Sequence, residues 1–154
     1  MPNDAKELSV HVTEESIALL IDRFYARIRQ DPVLAEVFDA AIAPDEWPEH
    51  LATMRRFWSS VMLTSGLYSG NPVAVHRGVR GLTRPMFAHW LALFDEIVSE
   101  LFAPAISTQF ATKAQRIAAS LELVLFHKPG EPSDSLRLPL PEPIAPLDRR
   151  PACD

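Results

Sequence analysis

Cysteine is almost missing from this chain. The single one in 154 residues, Cys153, stands beside the C-terminus, which excludes a disulfide framework and a thiolate metal cluster. Glycine is scarce: of five, four lie before Pro129, too few for the tight turns that β-hairpins need. No apolar run approaches the ~20 residues that cross a bilayer, and the N-terminus lacks the basic, apolar, small-residue succession of a secretory signal. Basic blocks are absent too. Fifteen Lys and Arg face 20 Asp and Glu, a net charge of −5, so neither nucleic acid nor an anionic membrane is an expected partner. There is no Gly-rich phosphate loop, no HExxH and no Ser or Cys in a nucleophile setting. Asp95 and Glu96 are neighbours that face different ways on a helix, so no paired-carboxylate site is indicated. What remains is a soluble protein, expected in a reducing cytoplasm.

Proline, by contrast, is plentiful and unevenly placed. Seven of 14 lie from Pro129 onward, in a segment with no helical or alternating period. Residues 129–154 therefore read as a proline-rich, extended or disordered tail, and residues 1–128 as one domain. Within that domain the apolar spacing is helical throughout. Ile17, Leu20, Ile21, Phe24 and Ile28 form one stripe, capped by Thr13 and stopped at Asp31-Pro32, with Tyr25 on its edge. Val33 to Phe38 can add one or two turns. A second long helix starts near Trp47, where Pro44 and Pro48 are tolerated only in a first turn, and stops at Ser65-Gly66. Asn71-Pro72 opens a short helical piece that carries His76 and ends near Gly78. A third helix begins at Thr83-Arg84-Pro85, buries Phe87, Trp90, Leu91, Phe94, Ile97, Val98 and Leu101, and ends at Pro104. A fourth runs from about Ala105 to His127 with Ile106, Phe110, Ile117, Leu121, Val124 and Leu125 inward. Four amphipathic helices without a strand pattern give an all-α fold class.

Two of the five histidines stand out. His11 precedes the first helix, His127 sits at a helix end where a cation is favoured, and His89 lies off the apolar stripe and reads as a surface residue. His50 shares one face with Met54 and Trp58, at i, i+4 and i+8, and with Trp47. His76 answers it across a loop. Tyr25 adds a phenol and Trp90 an indole N–H to an otherwise aromatic setting. One imidazole for iron, with polar donors over an aromatic pocket, is the physical description of a haem site.

On these residues the sequence resembles the truncated haemoglobins, specifically their third group. The matching positions are Phe24-Tyr25, Asp31-Pro32, Phe38, Trp47-Pro48-Glu49-His50, Phe57-Trp58, Tyr68-Ser69-Gly70-Asn71-Pro72, His76, Phe87, Trp90 to Phe94 and Ala114 to Ala118. They recur in order over roughly residues 8 to 127. The resemblance implies a globin-like, two-over-two helical sandwich around haem b. It makes His76 the iron ligand and sets Tyr25, His50 and Trp90 on the distal side, where oxygen, carbon monoxide or nitric oxide binds. Met54 and Trp58 would be pocket walls, and Phe24 would pack near the haem. The chain departs from the family between His76 and Phe87, where Arg80-Gly81 replaces a Leu-Pro or Pro-Pro pair. Arg80, with Arg77 and Arg84, thereby becomes a candidate to pair a haem propionate.

The resemblance also implies a monomer served by an unidentified reductase. Two distal donors argue for holding a gas for chemistry, such as nitric oxide dioxygenation or peroxide activation, more than for ready unloading. The competing expectation is a haem-free helical module that docks partners through its proline-rich tail.

Overall fold

The structure, a computed structural model, describes residues 7–126. The proposed tail lies outside them, as does His127. Six α-helices follow in order: α1 Glu14–Ile28, α2 Ala35–Ala41, α3 Trp47–Leu63, α4 Pro72–Arg77, α5 Arg84–Leu101 and α6 Pro104–Phe126, with a 3-10 turn at Pro44–Glu46 leading into α3. No helix among the described residues is long and apolar enough to cross a membrane.

The ends of these helices follow local chemistry. Thr13 Oγ1 accepts the backbone N–H of Ser16, and Ser16 Oγ accepts that of Thr13, a capping box with Glu14 and Glu15 at the positive end of α1. After α1, the Asp31 carboxylate accepts the N–H groups of both Val33 and Leu34 at 2.9 Å. That turn delays α2, which begins at Ala35 and reaches Ala41 instead of covering Val33 to Phe38. α3 starts at Trp47 with Pro48 in its first turn and ends on Thr64, whose φ of 52° is left-handed.

The end of α5 is where sequence reading and structure part. Pro104 is not its terminator. The helix stops at Leu101 because Phe102 turns extended and forms an isolated bridge with Ser9. Ser9 N–H donates to the Leu101 carbonyl and Ala103 N–H to that of Ser9, both at 2.9 Å. Pro104 then opens α6, one residue earlier than expected, in a position where its missing N–H costs nothing.

α1 packs on α3 and on α5, α5 packs on α6, and α4 sits against α6. The two pairs α1–α3 and α5–α6 are thus joined through α1 and α5 as a two-over-two arrangement. Ile17, Leu20, Ile21, Phe24 and Ile28 are fully buried along α1, each worth about 1.5–3 kcal/mol of transfer free energy. Phe94 is the centre of an aromatic core. Trp58 stacks on it at 4.9 Å, Trp90 at 5.2 Å, and Phe24 meets it edge-on at 5.2 Å. A smaller cluster of Phe87, Ala118 and Leu121 takes Val73 and Leu82 from either side of His76 and so seats α4. Val124, expected inward, is 44% exposed; Leu125 and Phe126 take the inward positions of that last turn.

Candidate functional site

α4 is six residues long, and its start is secured by Asn71, whose side-chain oxygen accepts the Ala74 N–H at 3.1 Å, with Pro72 in the first turn. His76 is half-buried on this helix. Its Nδ1 lies 2.6 Å from the Pro72 carbonyl oxygen. A carbonyl only accepts, so Nδ1 carries the proton and Nε2 is left with its lone pair. The loop before α4 is braced. Ser60 Oγ accepts the Tyr68 N–H at 2.9 Å, and the Tyr68 ring stands edge-on to Phe57 at 5.1 Å. At Gly70 a Cβ would stand 2.6 Å from the Tyr68 phenol oxygen, so any larger residue there would have to push the tip of that ring aside.

The second part of the site comes from α1 and α3. Tyr25 is 4% exposed, inside the core and not merely on its edge. Its ring meets His50 edge-on at 5.0 Å, Phe38 at 6.0 Å and Trp47 at 6.1 Å. Burial pushes the Tyr25 phenol well up, so it keeps its proton. His50 is half-buried, and its Nε2 is sealed from water with no hydrogen-bond partner among the described residues. Burial, and then repulsion by His76 whenever that ring is protonated, push His50 down and favour its neutral form. His76 is therefore close enough to bear on the titration of His50.

The remaining sequence candidates fall into layers. Trp90 is half-buried, its plane held between Phe94 and the edge of Phe24 at 5.2 Å. Met54 is half-buried on the same face of α3 as His50. Phe24 and Trp58, at 0% and 1% exposed, lie in the aromatic core behind these side chains. Arg77, Arg80 and Arg84 are exposed and form no ion pair among the described residues. Arg84 instead places its guanidinium 5.7 Å from the Phe126 ring.

Two features escaped sequence reasoning. His89 is not a plain surface residue, because its Nε2–H donates to both Asp31 oxygens, at 2.8 and 2.9 Å. Burial works to raise the Asp31 carboxyl, but His89 and the N–H groups of Leu34 and Val33 outweigh it and hold it below the usual carboxylate value. The partners are 58 positions apart, and no local pattern announces them. Trp47 and Phe38, stacked at 6.5 Å, form a second aromatic layer around Tyr25 and His50. The i, i+3 spacing of Trp47 and His50 was the available signal.

Among the described residues, no group of three or more His, Cys, Asp or Glu converges on a point. The arrangement offers one imidazole with a free Nε2, an apolar and aromatic surround, and an unpartnered buried nitrogen on His50. Such a donor set suits a metal that brings its other ligands with it, and haem is the group that the residues fit. An open groove of about 470 Å³ between the end of α3 and the start of α6, lined by Val61, Met62, Thr108 and Thr112, contains none of these side chains.

No protein-family model matches the chain. A group 3 truncated hemoglobin of Campylobacter jejuni is 31% identical over 121 residues, which cover 77% of this chain and 95% of that protein. The crystal structure of a group III truncated hemoglobin from the same organism superposes with a TM-score of 0.73 at 30% identity, again over 77% of this chain and 95% of the other.

Proposed function

The chain belongs to the group III truncated haemoglobins, and from that premise we propose that it binds haem b through His76 and takes up diatomic gases on the side of Tyr25, His50 and Trp90. The observation that carries this reading is the Nδ1–H bond of His76 to the Pro72 carbonyl, which orients the ring and leaves Nε2 as the donor atom. When bound, haem supplies an iron centre for oxygen, carbon monoxide or nitric oxide and for one-electron redox chemistry.

The residues of the chain do the rest. His76 would hold the metal from one side. Tyr25, kept protonated by burial, and the Trp90 indole would donate hydrogen bonds to a gas ligand on the other. A bond to a charged acceptor contributes ~1.5–3 kcal/mol, and about 1.4 kcal/mol is tenfold in affinity. Two donors would thus slow oxygen release on the order of a hundredfold or more. That favours retention for reaction, such as nitric oxide dioxygenation or peroxide activation, over delivery. Met54 lines the space, Phe24 and Trp58 back it, and Arg80, with Arg77 and Arg84, is free to meet the propionates. Such turnover requires an electron donor, which we take to be a separate reductase acting on a monomer in the cytoplasm. Residues 1–128 form the haem-binding domain in this reading, and 129–154 a separate proline-rich tail.

Reconstitution with hemin tests the proposal. The wild-type chain should show an intense Soret band that His76→Ala loses. No stable band with the wild type would overturn it in favour of a haem-free helical interaction module.

A further inference from the structure

His50 carries an unexplained cost. Its Nε2 is buried and makes no hydrogen bond among the described residues, and a buried nitrogen without a partner is unfavourable unless something holds it there. An imidazole on a helix surface turns to water when it is free to do so. Here it is not free. The ring stands edge-on to Tyr25 at 5.0 Å and to Trp47 at 5.5 Å, both at 86°, and those two rings lie 6.1 Å from each other, so the three close into a triangle. Tyr25 and Trp47 together form the corner against which the His50 ring rests.

Trp47 is itself immobilised. It is the first residue of α3, one helical turn before His50, and is 4% exposed. Phe38 stacks against it at 6.5 Å, and the Arg29 guanidinium lies over its ring at 4.6 Å. Arg29 is the C-cap of α1, is exposed, and forms no ion pair among the described residues. Its contact with the indole joins the end of α1 to the start of α3, directly over a ring that His50 packs against.

We infer that Trp47, roofed by Arg29, is a positioning residue that latches the His50 ring inward and so sets how readily a small ligand enters the site. The inference rests on the gas-binding reading above. Trp47 touches neither haem nor ligand in this account and acts only through His50.

Two measurements on the full chain decide it. In the hemin-loaded protein, carbon monoxide association after flash photolysis should quicken in Arg29→Gln and more in Trp47→Leu. The expected gain is on the order of three- to tenfold, the range that one or two such contacts supply. In a His50→Ala background the same substitutions should have no effect, because nothing remains to be latched. Equal acceleration with and without His50, or none with it, overturns the latch. Arg29 is exposed, so its variant keeps the measurement decisive if Trp47→Leu fails to fold.

The second measurement needs no haem. In NMR titrations of the ring protons, His50, held down by burial in the wild type, should rise toward the ordinary histidine value in both variants. An unchanged titration in both overturns the latch. A wild type that forms no Soret band sinks the haem reading alone, and the titration still decides between a held and a free His50.

Discussion

His76 donates its Nδ1 proton across 2.6 Å to the carbonyl of Pro72, one turn back on the same short helix. Donor and acceptor belong to one element, so the orientation of the ring depends on the integrity of α4. Six residues cannot sustain a helix on propensity alone. The Asn71 cap and the seating of Val73 and Leu82 on α6 must hold it.

Asn71→Ala should therefore loosen the haem site without touching it. Loss of a cap costs about 0.5–2 kcal/mol, which corresponds to haem transfer to an acceptor globin about two- to thirtyfold faster. Absorbance at the Soret maximum follows the transfer. An unchanged rate would mean that the packing on α6 holds α4 without its cap.

Tyr25→Phe should speed oxygen dissociation at least several-fold, since it removes one donor whose bond contributes ~1.5–3 kcal/mol. The ring contacts to His50, Phe38 and Trp47 survive the change, so fold stability should move little. Stopped-flow displacement of oxygen by carbon monoxide reads the rate, and an unaltered value would mean that the phenol does not reach the ligand.

Asp31→Asn should remove a pH-dependent part of the stability. The Asp31 carboxyl titrates lower in the folded chain than its ordinary value, about 3.9 when unfolded. Its contribution is then fully present above about pH 4 and lost as pH falls through the folded value. Urea melts at pH 7 and at progressively lower pH should show the variant weaker at neutral pH, with the gap closing in acid. A gap that persists in strong acid would assign the effect to packing instead of charge.

Phe94→Ala should be among the most damaging single changes. The residue is fully buried and touches Phe24, Trp58, Trp90 and Phe110. Truncating a core aromatic costs about 3–5 kcal/mol. The denaturant midpoint should fall accordingly, and oxygen release should quicken as Trp90 loses the ring it stacks on. A midpoint close to wild type would mean that Trp58 and Trp90 close the cavity between them.

The helices were legible because their signals are local. Thr13, Pro48, Asn71 and Pro85 mark starts through their own backbone chemistry, and the apolar spacing of α1 names its buried face one residue at a time. The errors arose where a side-chain bond or a packing contact, near or distant, overrode the apolar period. Ser9, almost a hundred residues away in sequence, ends α5 by pairing with Phe102. Asp31 delays α2 and claims His89 from across the molecule. Val124 fits the inward period of α6 but reaches a turn where Leu125 and Phe126 already fill the contact.

By itself the sequence determined an all-α chain, the two histidines worth following, and a resemblance dense enough to name a family, because caps, prolines and a 3.6-residue period act within a few residues of where they are written. Only the tertiary structure decided that Tyr25 is sealed inside, that Trp90 is clamped against Phe94, and that His50 packs into the corner formed by Tyr25 and Trp47. Those relations depend on how α1, α3 and α5 cross, and the distances between rings on different helices are set by packing the whole core at once.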